Sequence, residues 1–170
     1  MLASQELIAA VNRQVGNEFG ASLQYVSIAS YFDSLALNGL ARFFYRQADE
    51  ERDHAMKFAH FVVDSDGRLK IPEIPAPKAD FATAAEAVSL ALDWEQEVTQ
   101  QIYGLVEIAK TDNNYIAQRF LDWFVNEQFE EVNTMSHLLQ VVERAGETGL
   151  LQVEEFLARE GATFPPEEAE

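Results

Sequence analysis

Four stretches of the 170-residue chain repeat apolar residues at steps of three and four, the period of a helix buried along one stripe. They predict helices over about residues 4–33, 38–64, 82–110 and 113–144, with Ser4 placed to cap the first. A fifth, short helical pattern covers about residues 150–159, after the break "RAGETG". Strand signals are nearly absent. Short turns separate the first helix from the second and the third from the fourth, so each pair should form an antiparallel hairpin. Between the hairpins, "SDGRLKIPEIPAPKADFA" carries Pro72, Pro75 and Pro77 and is too proline-rich for a helix. A helix of about 28 residues is roughly 42 Å long, a distance this segment can span as an extended crossover. The pattern predicts an all-α four-helix bundle with one long crossover between helices two and three and a short fifth C-terminal helix. One domain is expected over residues 1–160 and a flexible acidic tail over residues 161–170.

The inward stripes are apolar except near their middles. The second helix presents Leu40, Phe44, Gln47, Glu51, His54, Phe58 and Phe61. The first presents Val11, Val15, Glu18, Ser22 and Tyr25. The third offers Val88, Leu92, Glu95, Val98 or Thr99, Ile102 and Val106. The fourth offers Phe120, Phe124, Glu127 or Gln128, Glu131, Met135, Leu138 and Val142. An isolated buried carboxylate costs several kcal/mol unless it is neutralised, paired or coordinated. No Lys or Arg falls on these stripes near the acids, and Arg52, next to Glu51, points elsewhere. One inward Glu can be satisfied by water or a tyrosine; the convergence of several points to a cation.

A repeat strengthens this. Glu51 and His54 lie 33 and 36 residues after Glu18, and Gln128 and Glu131 lie 33 and 36 residues after Glu95. Packing the two hairpins about a pseudo-two-fold axis would gather all six groups at mid-height. An oxygen-rich set with one imidazole suits iron, manganese or zinc, and iron with open positions best matches oxygen chemistry. Glu51 and Glu95 are placed to bridge two ions. The second half has a neutral Gln128 and no histidine, so one ion should be held more loosely than the other.

Charge and composition narrow the partners. Twelve Lys and Arg against 29 Asp and Glu give −17, which disfavours nucleic acid and anionic membranes and favours cations. With no cysteine, disulfides and thiolate metal sites are excluded. The N-terminus lacks a signal-peptide pattern and no segment reads as a membrane span, so the expectation is a cytoplasmic protein.

The stretches "GNEFGASLQY", "DEERDH", "LDWEQEVTQQI" and "FLDWFVNEQFEE" resemble the ferroxidase-centre motifs of bacterial non-haem ferritins, over about residues 5–160. The resemblance implies a ferritin-like iron-storage shell of 24 identical subunits. It implies oxidation of Fe(II) by O2 or H2O2 and deposition of ferric mineral inside. It assigns one iron to Glu18, Glu51 and His54, and a second to Glu51, Glu95 and Glu131 with Gln128 close by. It assigns a third, transit iron to Glu50, Glu127, Glu130 and Glu131. Tyr25 matches a tyrosine that supplies an electron or a hydrogen bond. Trp123 matches a nearby tryptophan, for which core packing is an equal reading. Haem-binding bacterioferritins are similar too, but they carry a methionine ligand where this chain has Arg52, and a Glu and a His where it has Gln128 and Glu131. Those departures argue against haem. His60 and His137 read as surface or packing residues. Two other readings remain: a di-iron oxidase or peroxidase of the rubrerythrin-like type, and a structural bundle whose acids are solvated.

Overall fold

The computed structural model describes residues 2–160, without the Glu160 side chain; the tail expected over 161–170 lies outside the described residues. The helices are α1 (Gln5–Ser34), α2 (Asn38–Asp64), α3 (Ala84–Thr111), α4 (Tyr115–Ala145) and α5 (Leu150–Glu160), with one 3-10 turn at Glu147–Gly149. No strand occurs among the described residues. The hairpins α1–α2 and α3–α4 form as expected, and α1 packs on α3. α2 meets α4 through stacked rings, Phe58 on Phe124 at 4.0 Å and Phe61 on Phe120 at 4.5 Å. Large side chains at these positions set the spacing of the two helices. No described helix is long and apolar enough to cross a membrane.

Capping chemistry explains where the helices start. Ser4 accepts from the Leu7 amide and caps α1 from outside the helix. Two starts fall later than the hydrophobic pattern predicts. α3 begins at Ala84, not 82, because Thr83 caps the Glu86 amide while the Glu86 carboxylate reaches back to the Ala82 amide. α4 begins at Tyr115, not 113. Asn113 sits at φ 52, which asparagine tolerates, and Asn114 caps the Ala117 amide.

The last two elements supply carboxylates to the starts of α2 and α3. Leu37 precedes α2 without offering a side-chain cap. Glu154 of α5 accepts instead from the Gly39 and Leu40 amides at 2.6 and 2.9 Å. Glu147 of the 3-10 turn accepts from the Ala84 amide of α3 at 2.9 Å. Both carboxylates sit at positive helix ends, where negative charge is favoured.

The crossover lies along α1. Asn12 donates to the Arg68 carbonyl and accepts from the Lys70 amide, and Gln24 does the same with the carbonyl and amide of Lys78. Between these two clamps the strap passes Gly16 and Gly20 at Pro72 and Ile74. Positions 12, 16, 20 and 24 share one face of α1; Gly16 makes room for Pro72 of the strap, and Gly20 for the Trp94 ring.

The apolar core divides in two. One cluster includes Tyr25, Phe32, Phe44, Met135 and Leu138 and extends to Val153 of α5. The other includes Leu7, Val15, Phe58, Ile102 and Phe124. Glu18, Glu51, His54, Glu95, Gln128 and Glu131 are buried, and by their places along the helices they fall between the two clusters.

The strap gives a test. A Cβ on Gly16 would stand 2.3 Å from Pro72 Cγ. Gly16→Ala should therefore destabilise the metal-free protein by about 1–3 kcal/mol in urea unfolding. Helix propensity alone predicts a gain of up to about 1 kcal/mol, and that gain would show the strap is not seated there.

Candidate metal centre

Near their middles α1 and α3 each place one glutamate on the inward stripe, Glu18 and Glu95, while α2 and α4 each place a pair, Glu51 with His54 and Gln128 with Glu131; the bundle brings three of the six close together. Ligand atoms of Glu18, Glu51 and His54 all lie within 4.8 Å of one another, and each residue is at most 3% exposed. This is the one such three-ligand cluster found among the described residues. His54 Nδ1 lies 3.4 Å from Glu51 Oε2, and its Nε2 lies 3.4 Å from Glu127 Oε1. Glu127 is half-buried, which settles a choice that periodicity leaves open: Gln128 and Glu131 take the buried positions and Glu127 borders them.

Glu95 and Glu131 line the other side, and their environments differ. Both oxygens of Glu95 are occupied. Tyr25 donates its hydroxyl to Oε1, and Gln128 Nε2 donates to Oε2 at 3.0 Å. Gln128 also contacts the Glu95 carbonyl and Thr99 Oγ1, so its amide is tied to α3. Glu131 Oε2, Glu18 Oε2, Glu51 Oε1 and Gln47 Oε1 are buried without a hydrogen-bond partner. Four orphaned buried acceptors near one layer are the donor set a hard cation would satisfy. The Glu18–Glu51–His54 side thus has unpartnered oxygens open to a ligand, while each Glu95 oxygen already accepts one hydrogen bond and keeps one further lone pair for a cation.

The remaining expected residues lie at the edge. Glu50 is half-buried and accepts from Gln47 Nε2. Glu130 is exposed. Ser22 is half-buried, and its hydroxyl is committed to the Ala48 carbonyl at 2.7 Å. Trp123 is half-buried, with its ring 5.5 Å from the His54 ring and Lys57 Nζ 3.2 Å over its face. His60 and His137 are exposed, and His137 packs against the Phe156 ring. One supporting group is absent from the inward stripes. Gln14, 2% exposed, donates to Glu18 Oε1 at 2.9 Å. Its signal was its spacing, four residues before Glu18 in "RQVGNE".

Burial dominates the electrostatics. It pushes the Glu18, Glu51 and Glu131 carboxyls well above their usual range, and the charges of neighbouring glutamates push them further; proton sharing between Glu18 and Glu51 raises the first and partly offsets the shift of the second. Glu95 is raised for the same reason, though hydrogen bonds from Tyr25 and Gln128 oppose the shift. Burial raises Glu50 as well. For His54 burial acts downward, but Glu127, Glu18 and Glu131 outweigh it and its pKa is raised. With no cation bound, the folded chain holds these carboxyl protons to higher pH than the unfolded chain does. The contribution of the cluster to stability is therefore present below the unfolded carboxyl pKa and is lost as pH climbs through the raised folded values.

This sign predicts the behaviour of an amide variant. In the metal-free protein, Glu131→Gln should raise the melting temperature at pH 8 and change it little at pH 5. A lower melting temperature at pH 8 would mean that the protein itself stabilises the ionised carboxylate.

Comparison with known proteins agrees with this architecture. A family model for the ferritin-like domain matches residues 8–145. The chain is 43% identical over 157 residues to Ferritin BfrB of Mycobacterium tuberculosis (strain ATCC 35801 / TMC 107 / Erdman), covering 92% of this chain and 86% of that one. It is 36% identical over 146 residues to a bacterial non-heme ferritin of Staphylococcus haemolyticus, covering 86% of this chain and 88% of the other. An open pore ferritin from the hyperthermophilic archaeon Archaeoglobus fulgidus superposes with a TM-score of 0.88 at 32% identity, covering 92% and 97% of the two chains. The five-helix bundle, the polar layer at its middle and these likenesses together establish that the chain belongs to the ferritin-like family.

Proposed function

We propose that this protein stores and detoxifies iron, oxidising Fe(II) at the centre inside each subunit and depositing ferric mineral within a shell of 24 copies. The observation that carries the reading is the set of unpartnered buried oxygens on Glu18, Glu51 and Glu131, beside His54 and without a buried Lys or Arg. Iron is the substrate. Glu18, Glu51 and His54 take the first Fe(II), and their carboxyl protons leave as it binds. Glu51, Glu95 and Glu131 take the second, Glu95 through lone pairs that its hydrogen bonds to Tyr25 and Gln128 leave free. The tied state of Glu95 makes the second ion the weaker one.

Two Fe(II) then reduce O2 to H2O2, or H2O2 to two waters, in either case with uptake of two protons. Hydrolysis of the Fe(III) releases protons. Carboxylates suit both oxidation states because they are hard anionic donors. Tyr25 holds Glu95 by its hydroxyl and stands ready to donate a hydrogen bond or an electron. Product leaves past half-buried Glu50 and Glu127 toward exposed Glu130, a path of rising solvent access. The reading includes no haem, and it places the shell in the cytoplasm.

Aerobic Fe(II) addition followed by sizing tests the reading. The expected particle is roughly half a megadalton for 24 chains of 19.1 kDa, holding far more than two irons per chain. Saturation at two irons per chain would favour an oxidase without storage. Glu18→Ala and His54→Ala should assemble yet slow the initial oxidation by more than about tenfold. Wild-type rates in both variants would refute the site.

A further inference from the structure

The centre is held by a relay of side-chain amides that crosses from α1 to α3. Asn17 is half-buried and uses its NH2 group twice, donating to Gln101 Oε1 at 2.9 Å and to Gln14 Oε1 at 3.3 Å. Each glutamine then passes its own NH2 to a carboxylate. Gln14 Nε2 donates to Glu18 Oε1 at 2.9 Å, and Gln101 Nε2 donates to Glu97 Oε1 at 3.4 Å. Each terminal NH2 donates to a carboxyl oxygen, so both ends of the relay fix the same amide orientations that Asn17 imposes from the middle. Gln14 is 2% exposed, so its amide has no competing water.

The consequence falls on Glu18. Its Oε1 is occupied by Gln14 while its Oε2 is buried and unpartnered. We infer that Gln14, steered by Asn17, is a positioning residue that locks the Glu18 carboxylate so that one oxygen alone faces the cation beside Glu51 and His54. Single-oxygen binding leaves a coordination position open on the first ion, where an oxidant can bind. It also fixes the side chain before the ion arrives, which lowers the ordering cost of binding. Glu95 is held the opposite way, with both oxygens engaged, so the relay makes the first half of the centre the ready half. The inference rests on the reading of the centre as a cation site.

Co(II) titration of the metal-free protein, up to one ion per chain and followed by visible absorption, tests it. Gln14→Leu keeps the side-chain volume and removes the amide. It should weaken Co(II) binding roughly tenfold and change the visible spectrum, because Glu18 is then free to bind through both oxygens. Asn17→Ala leaves Gln14 in place but unsteered, outside the buried core, and should shift affinity the same way by less. A Gln14→Leu protein with a lower melting temperature but the wild-type affinity and spectrum would reduce Gln14 to a packing residue and overturn the inference alone. If Gln14→Leu does not fold, wild-type binding in Asn17→Ala overturns it. Failure of the wild-type protein to take up Co(II) would overturn the centre itself, and the inference with it.

Discussion

Four carboxyl groups, Glu18, Glu51, Glu95 and Glu131, are buried in one layer of this bundle, and no Lys or Arg is buried with them. Each would cost several kcal/mol if left ionised and unpaired. Burial of the layer holds their protons on in the metal-free chain. The layer therefore has two ways to be stable, protonated or filled by cations, and near neutral pH the second removes the conflict. The layer is a weak spot in the core that a hard cation would relieve.

The rest of the structure contains that weak spot. Apolar clusters rich in stacked rings close the layer from either side and keep bulk water out. The strap clamped on α1, and the Glu154 and Glu147 caps supplied by the chain after α4, tie the bundle together at points away from the layer. Within the layer, hydrogen bonds are distributed unevenly. Both oxygens of Glu95 accept a hydrogen bond, from Tyr25 and Gln128, while Glu18 and Glu51 each keep an oxygen without a partner. The half of the layer with a histidine has two unpartnered carboxyl oxygens, and in the half with a glutamine that glutamine holds Glu95. Sequence asymmetry becomes a difference in readiness.

Much of this was legible from local pattern. The step of three and four in α2 placed Glu51 and His54 inward, and α2 spans the residues that the pattern predicts. The repeat of 33 and 36 residues aligned Glu18 with Glu51, and Glu95 with Gln128, before any packing was known. What escaped was decided by partners distant in sequence. Glu154 caps α2 from 115 residues away, and no local signal marks it. Periodicity gives the direction of Glu95, but its hydrogen bonds depend on Tyr25, 70 residues earlier on another helix. Gln14 and Asn17 look like ordinary polar positions until α3 brings Gln101 alongside. The starts of α3 and α4 were misplaced for a simpler reason: Thr83 and Asn114 serve as caps, and hydrophobic period does not see caps.

The central claim is that the buried acids at mid-bundle form a cation centre whose Glu18–Glu51–His54 half fills first. An anomalous-scattering map from crystals given about one Fe(II) per chain tests it most directly. The account predicts a single strong peak within coordination distance of Glu18 Oε2, Glu51 and His54, with a second peak near Glu95 and Glu131 only at higher iron. A map with iron on surface acids alone, or filling the Glu95–Glu131 side first, would contradict it.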